Sequence, residues 1–139
     1  MRQYIVFCSL GIAMQSQAEV LELTINNVAT DKGQVYLQVF NSDDTWMTDN
    51  FVLRAAFPAA ELQKSQTVKL ELEYGEYGIS VFHDVDDDGE LDTNWIGIPK
   101  EPVGMSNDAK GSMGPAKYQD AKFLFNPDTS SHVLSLYDI

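Results

Sequence analysis

Six of the nine residues from Asp84 to Asp92 are acidic. The run His83-Asp84-Val85-Asp86-Asp87-Asp88-Gly89-Glu90-Leu91-Asp92 reads Asp-x-Asp-x-Asp-Gly-x-x-Asp, with Asp84, Asp86, Asp88 and Asp92 at positions one, three, five and nine of a loop. Carboxylates this crowded repel one another in water. A hard divalent cation cancels that repulsion, and carboxylate oxygens are what Ca²⁺ prefers. Alternate residues turn inward when a chain curls about a point, and Gly89 stands at position six, where calcium loops of this kind need a sharp turn. Glu90, at position seven, is expected to lend its backbone carbonyl. An EF-hand loop closes with a bidentate Glu at position twelve, which here is Trp95, so Asp92 is left to close the shorter loop. The expected metal residues are therefore Asp84, Asp86, Asp88, Glu90 and Asp92. Mg²⁺ suits them less, because a flexible cage of protein oxygens favours the larger ion. Asp-Gly is also a common turn dipeptide and acid runs are often merely solvated; the one-three-five-nine spacing with the glycine is what favours the ion.

Other chemistry is thin. The two histidines are His83 and His132. His83 falls on the apolar side of an alternating segment, which suits a packed residue or a partner steadying a ligand carboxylate more than a base. Ser106, in Gly104-Met105-Ser106-Asn107-Asp108, is not in a nucleophile elbow, and Gly111-Ser112-Met113-Gly114 lacks the context of a phosphate loop. No catalytic residues are assigned. Zinc is disfavoured by the lack of any cysteine after Cys8 and the scarcity of histidine. Asp43, Asp44 or Asp49, in a polar turn-rich stretch, could reach the ion from outside the loop. Trp46, Met47, Phe51, Trp95 and Tyr118 could form an aromatic platform for a sugar, although large aromatics more commonly fill cores.

The elements that must hold the acidic loop alternate with a period of two. Leu21, Leu23 and Ile25 share one face of a segment, as do Val35, Leu37 and Val39, then Val68, Leu70 and Leu72, then Tyr77, Ile79, Val81 and His83. A weaker strand over 51–57 ends at Pro58, and 59–65 holds a helical turn or loop. Tyr77 follows a Gly-rich turn as the tyrosine of a tyrosine corner does. A short strand is expected at 94–98 and closing strands near 123–126 and 132–137, around Asn126-Pro127-Asp128. About seven strands with turns at this spacing predict an all-β Greek-key sandwich, immunoglobulin-like. An outer-membrane barrel fits poorly, because the aperiodic stretch 99–122 interrupts the regular segments such a barrel needs.

Arg2 followed by an apolar run from Tyr4 to Met14, with Ser16-Gln17-Ala18 after it, predicts an export signal over 1–18 and cleavage after Ala18. The run is too short to span a bilayer. Residues 19–139 then form one domain. Cys8 is the one cysteine, so that domain can hold no disulfide. The whole chain has 9 Lys+Arg against 21 Asp+Glu, a net charge of −12, which disfavours nucleic acid and anionic membranes as partners.

Tyr77-x-Ile79-x-Val81-Phe82-His83-Asp84, then Asp88-Gly89-Glu90-Leu91-Asp92-Thr93-Asn94, Gly97-Ile98-Pro99-Lys100-Glu101, Ser106-Asn107, Gly114-Pro115 and Asp120-Ala121 together resemble the bacterial domain-of-unknown-function family 2141. Asp31-Lys32-Gly33-Gln34-Val35 is similar to it as well. The resemblance implies an exported bacterial protein with a small sandwich loosely similar to transthyretin-like and Cna-B-like domains, and it implies no activity. The family's loop is often Asn-rich where this one carries Asp86 and Asp88. It also implies that 99–121 is an ordered segment, expected to fold over the ion loop. The expectation is thus a periplasmic or secreted calcium-binding module of the cell envelope, binding or structural, with an envelope protein or glycan as possible partner. The alternatives are a carbohydrate-binding module and a hydrolase using carboxylates.

Overall fold

The computed structural model describes residues 18–112 and 114–139. Apart from Ala18, the expected export signal lies outside the described residues. The alternating segments become strands: β1 (Glu19–Asn26), β2 (Gln34–Phe40), β3 (Leu53–Pro58), β4 (Thr67–Leu72) and β5 (Gly75–Asp84), with a six-residue helix α1 (Ala59–Lys64) between β3 and β4. Three short strands follow, β6 (Val103–Met105), β7 (Phe123–Phe125) and β8 (Ser131–Ser135), with a four-residue helix α2 (Tyr118–Ala121) before β7.

The strands form two sheets. The smaller has the order β4-β1-β8, with β1 and β4 antiparallel and β1 and β8 parallel. The larger has the order β3-β2-β5-β6, and β7 pairs with the first part of β5. The inward residues of the alternating segments meet between them. Leu21, Leu23, Ile25, Val35, Leu37, Val39, Ile79 and Val81 are all fully buried, and Phe125 and Leu134 close the same cluster. The fold is an all-β two-sheet sandwich. Tyr77 donates its hydroxyl to the Glu73 carbonyl at 2.6 Å, the bond of a tyrosine corner.

Two segments differ from expectation. Asn94–Ile98 is not a strand: it is the tip of a small hairpin whose arms meet at the Thr93–Pro99 bridge. Conversely β6 lies inside the stretch that has no periodicity. All three of its residues are buried, so no alternation marks it, and Gly104 is required because a Cβ there would stand 2.7 Å from the Ser135 carbonyl oxygen.

A second small core of Met105, Ala109, Ala116 and Ala121 packs against Trp46. Gly78 makes the room, since a Cβ there would lie 2.9 Å from the Trp46 ring and 3.1 Å from the Tyr118 ring. Trp46 donates its indole N–H to the Ala116 carbonyl at 2.8 Å. Ser106 ties this region together: its buried hydroxyl accepts the Ile79 N–H at 2.9 Å and donates to the Ala121 carbonyl.

Candidate metal centre

β5 delivers the acidic loop. Its last residues pair with the first residues of β2, His83 opposite Val35 and Asp84 opposite Gln34. The turn 31–33 therefore lies directly against the point where the loop begins. Gly33 has φ +69°, and a Cβ there would fall 1.9 Å from the Asp84 carbonyl oxygen, so only glycine permits this approach. His83 fastens the same turn, its Nε2–H donating to the Lys32 carbonyl at 2.6 Å while Nδ1 lies buried without a hydrogen-bond partner. Of the two expectations for His83, the packed residue is the one observed: it holds the neighbouring turn and does not steady a carboxylate.

Asp84 is completely buried, and its carboxylate organises the loop from within. One oxygen accepts the Asp88 N–H at 3.3 Å, the other the Gly89 N–H at 2.7 Å. Gly89 adopts φ +81° to make the turn, and Asp87 sits at φ +59°. The Asp88 carboxylate in turn accepts the Glu90 N–H at 3.0 Å. Each oxygen of Asp84 holds one N–H and keeps lone pairs free for a cation.

The far end of the loop is closed by Glu101, which the one-three-five-nine reading did not include. Its two oxygens accept the Val85 N–H at 2.8 Å and the Asp92 N–H at 3.0 Å, so one buried carboxylate clamps both ends. The signal was available: the loop lacks the closing acid at position twelve, and Glu101 is the next acid after Asp92. Glu101 comes within reach because Lys100 N–H bonds the Asp92 carbonyl at 2.7 Å and the His83 N–H bonds the Pro102 carbonyl at 2.9 Å. Only the first part of the expected cover, residues 99–102, runs beside the acidic loop, and Val103–Met105 pair with Phe82–Ser80 of β5. From Ser106 onward the chain turns to β8 and the second core.

Ligand-capable oxygens fall into two overlapping groups, Asp84 with Asp86 and Asp88, and Asp86 with Asp92 and Glu101, each within 4.8 Å of one another. That is about twice the 2.3–2.6 Å length of a Ca²⁺–oxygen bond, so one ion can touch all members of a group. Asp86 belongs to both. The Glu90 side chain is exposed and outside both groups, which leaves its carbonyl as the expected contribution. Neither group contains Asp43, Asp44 or Asp49. Those three follow β2 at Phe40, opposite Gly78, whereas the acidic loop lies at the Gln34 end. Seven residues of strand, roughly 20 Å, separate the two ends.

The crowding shows in the proton affinities. Burial pushes the Asp84 carboxyl up, despite the Gly89 N–H, which acts the other way. Asp86 is raised through its hydrogen bond with Asp92 and then by burial. Asp88 is lowered, chiefly because the Glu90 N–H stabilises its charged form.

The side chains considered as a platform differ in exposure, with Met47 and Phe51 on the surface. Tyr118 is buried and Trp46 half-buried, with ring centroids 5.7 Å apart, both spent on the second core. Trp95 is 94% exposed. Among the described residues, no helix is long and apolar enough to cross a membrane.

The motifs that run from Tyr77 to Ala121 match a family model: residues 23–132 fit the bacterial family described as "Uncharacterized protein conserved in bacteria (DUF2141)", and the chain belongs to that family. No curated protein and no solved structure matches it.

Proposed function

We propose that this protein is an exported calcium-binding sandwich module of the bacterial cell envelope, with a binding or structural role and no catalysis. The observation that carries the reading is the clamp: two overlapping carboxylate groups share Asp86, and a buried glutamate from outside the loop closes the second. Buried charge is costly unless paired or bound to a metal. Here Asp84 and Glu101 are each satisfied only by single backbone N–H groups on each oxygen. A dication at either group, Asp84 with Asp86 and Asp88 or Asp86 with Asp92 and Glu101, supplies countercharge to the crowded carboxylates, and the Glu90 carbonyl is the further ligand expected from the loop spacing. The oxygen-only donor set, supplied wholly by the protein, favours Ca²⁺ over Mg²⁺. Export supports the same ion: the residues before Glu19 carry the pattern of a secretion signal, and calcium is plentiful outside the cytosol.

Titration calorimetry of Ca²⁺ and Mg²⁺ into chelator-treated protein, with elemental analysis of the purified protein, tests this. Saturable Ca²⁺ binding that disappears in Asp86→Ala is expected, together with a stabilisation of about 2.7 kcal/mol at a hundredfold excess over Kd. No bound ion at millimolar supply would refute the reading.

A further inference from the structure

Immediately after Asp92 the chain rises into a hairpin whose tip has no apolar cover. Trp95 is 94% exposed, Ile96 58% and Ile98 39%. The tip is nonetheless rigidly built. The Asn94 side-chain oxygen accepts the N–H groups of both Ile96 and Ile98 at 3.0 Å, Asn94 N–H bonds the Ile98 carbonyl at 2.8 Å, and Gly97 N–H bonds the Asn94 carbonyl at 2.9 Å. Gly97 takes φ +87° to complete the turn. Four hydrogen bonds thus hold the largest side-chain type out in water.

The residue types and the size of the tip narrow what it meets. Three side chains of this kind remove on the order of 400 Å² from water when covered. A stable protein interface takes about 800 Å² from each partner, so a second copy or a globular partner would need more than the tip provides. A sugar is recognised by an aromatic face with hydrogen-bonding groups around it, whereas the neighbours here are two isoleucines. Tryptophan and aliphatic side chains on a narrow protrusion suit the headgroup–acyl boundary of a lipid layer, which accepts a wedge of any area.

Charge sets a condition. Between Asp84 and Lys100 the chain carries six acids and one base, so the root of the wedge repels lipid phosphates. A dication in the loop lowers that repulsion, taking the local charge from −5 to −3, and offers the phosphates a partner. We propose that the Trp95–Ile98 tip is a membrane wedge that seats the protein on a phospholipid surface only when the acidic loop holds its cation; this rests on the calcium reading above.

The test uses vesicles of phosphatidylethanolamine and phosphatidylglycerol, sedimented with the purified protein in Ca²⁺ or in EGTA, alongside Trp95→Ala/Ile96→Ser. Residues 1–17 are common to both proteins, so any contribution from the apolar run cancels in the comparison. Co-sedimentation and a blue shift of tryptophan emission are expected with Ca²⁺, and at least tenfold weaker partitioning in EGTA or in the variant. Partitioning by the variant equal to wild type, or by wild type equal in EGTA, overturns the proposal. So does a failure to partition when calorimetry on the same sample shows the ion bound, in which case the calcium centre stands and the tip awaits a protein pocket. If calorimetry finds no ion, both readings fall.

Discussion

Glu101→Gln separates the two roles of the clamp. In the native protein each Glu101 oxygen holds one backbone N–H, those of Val85 and Asp92. Glutamine keeps the length and one acceptor, but points an NH₂ group at the other amide. Leaving that N–H without an acceptor costs about 1–3 kcal/mol. Against this, one negative charge leaves a cluster in which the Glu101 and Asp92 oxygens lie within 4.8 Å. Two like unit charges about 5 Å apart repel by about 3 kcal/mol at an effective dielectric of ~20 and by under ~1 kcal/mol in water. Asp92 is partly solvated, so the lower half of that range applies. In ion-free protein the two effects are similar in size and opposite in sign. The melting temperature should then move by only a few degrees, since ~1 kcal/mol corresponds to about 4 °C for a domain of this size. With a dication the balance changes, because the lost carboxylate had attracted two positive charges. At the ~2.5 Å of a Ca²⁺–oxygen bond the same arithmetic gives about 3 kcal/mol in water and about 13 kcal/mol at a dielectric of ~20, as an upper bound before desolvation. The Ca²⁺ Kd should therefore rise at least tenfold. Calorimetry, with thermal melts in EGTA and in Ca²⁺, reads both quantities. A Kd within about threefold of wild type, in a variant with native circular dichroism, would refute the assignment of Glu101 to the ion; the twofold-charge argument from which the magnitude comes would fall with it.

Three further outcomes follow from the geometry. Asp84 and Asp86 titrate above the ordinary aspartate value of 3.8 in the folded protein. Their contribution to stability is present below that value and lost as pH rises through their raised values, with Asp88, lowered, opposing them. Acidification from about pH 7 to about pH 5 should therefore destabilise the protein more in Ca²⁺, where protons displace the ion, than in EGTA; parallel melting curves in the two buffers would count against the ion. Gly33→Ala places a methyl 1.9 Å from the Asp84 carbonyl oxygen at φ +69°, and should cost more than about 2 kcal/mol and weaken Ca²⁺ binding by shifting Asp84, measured by urea melts and calorimetry. Ser106→Ala strips partners from the Ile79 N–H and the Ala121 carbonyl in a fully buried site, for a loss of about 2–4 kcal/mol, while the Ca²⁺ Kd stays unchanged.

The acidic loop was legible because its information is local. Spacing along nine residues sets which carboxylates can lie close together, and Asp84, Asp86, Asp88 and Asp92 all enter the two groups. The strands were legible for the same reason: alternation at Leu21-Leu23-Ile25 or Val35-Leu37-Val39 is a direct record of one face meeting a core. β6 left no such record, being buried along its whole length.

What the amino-acid order could not convey is anything set by register between distant strands. The pairing of β5 with β2 puts the turn 31–33 against Asp84 and sends Asp43, Asp44 and Asp49 to the opposite end of the sheet. The same tertiary arrangement turns His83 towards Lys32, buries Tyr118, and leaves Trp95 bare on its hairpin. Glu101 illustrates the division. Its charge and its place as the next acid are plain in the sequence, but its two hydrogen bonds exist only because β6 pairs with β5 just beyond it and draws the chain back alongside the loop. Local spacing selects the residue types able to hold a cation; long-range strand pairing decides which of them meet.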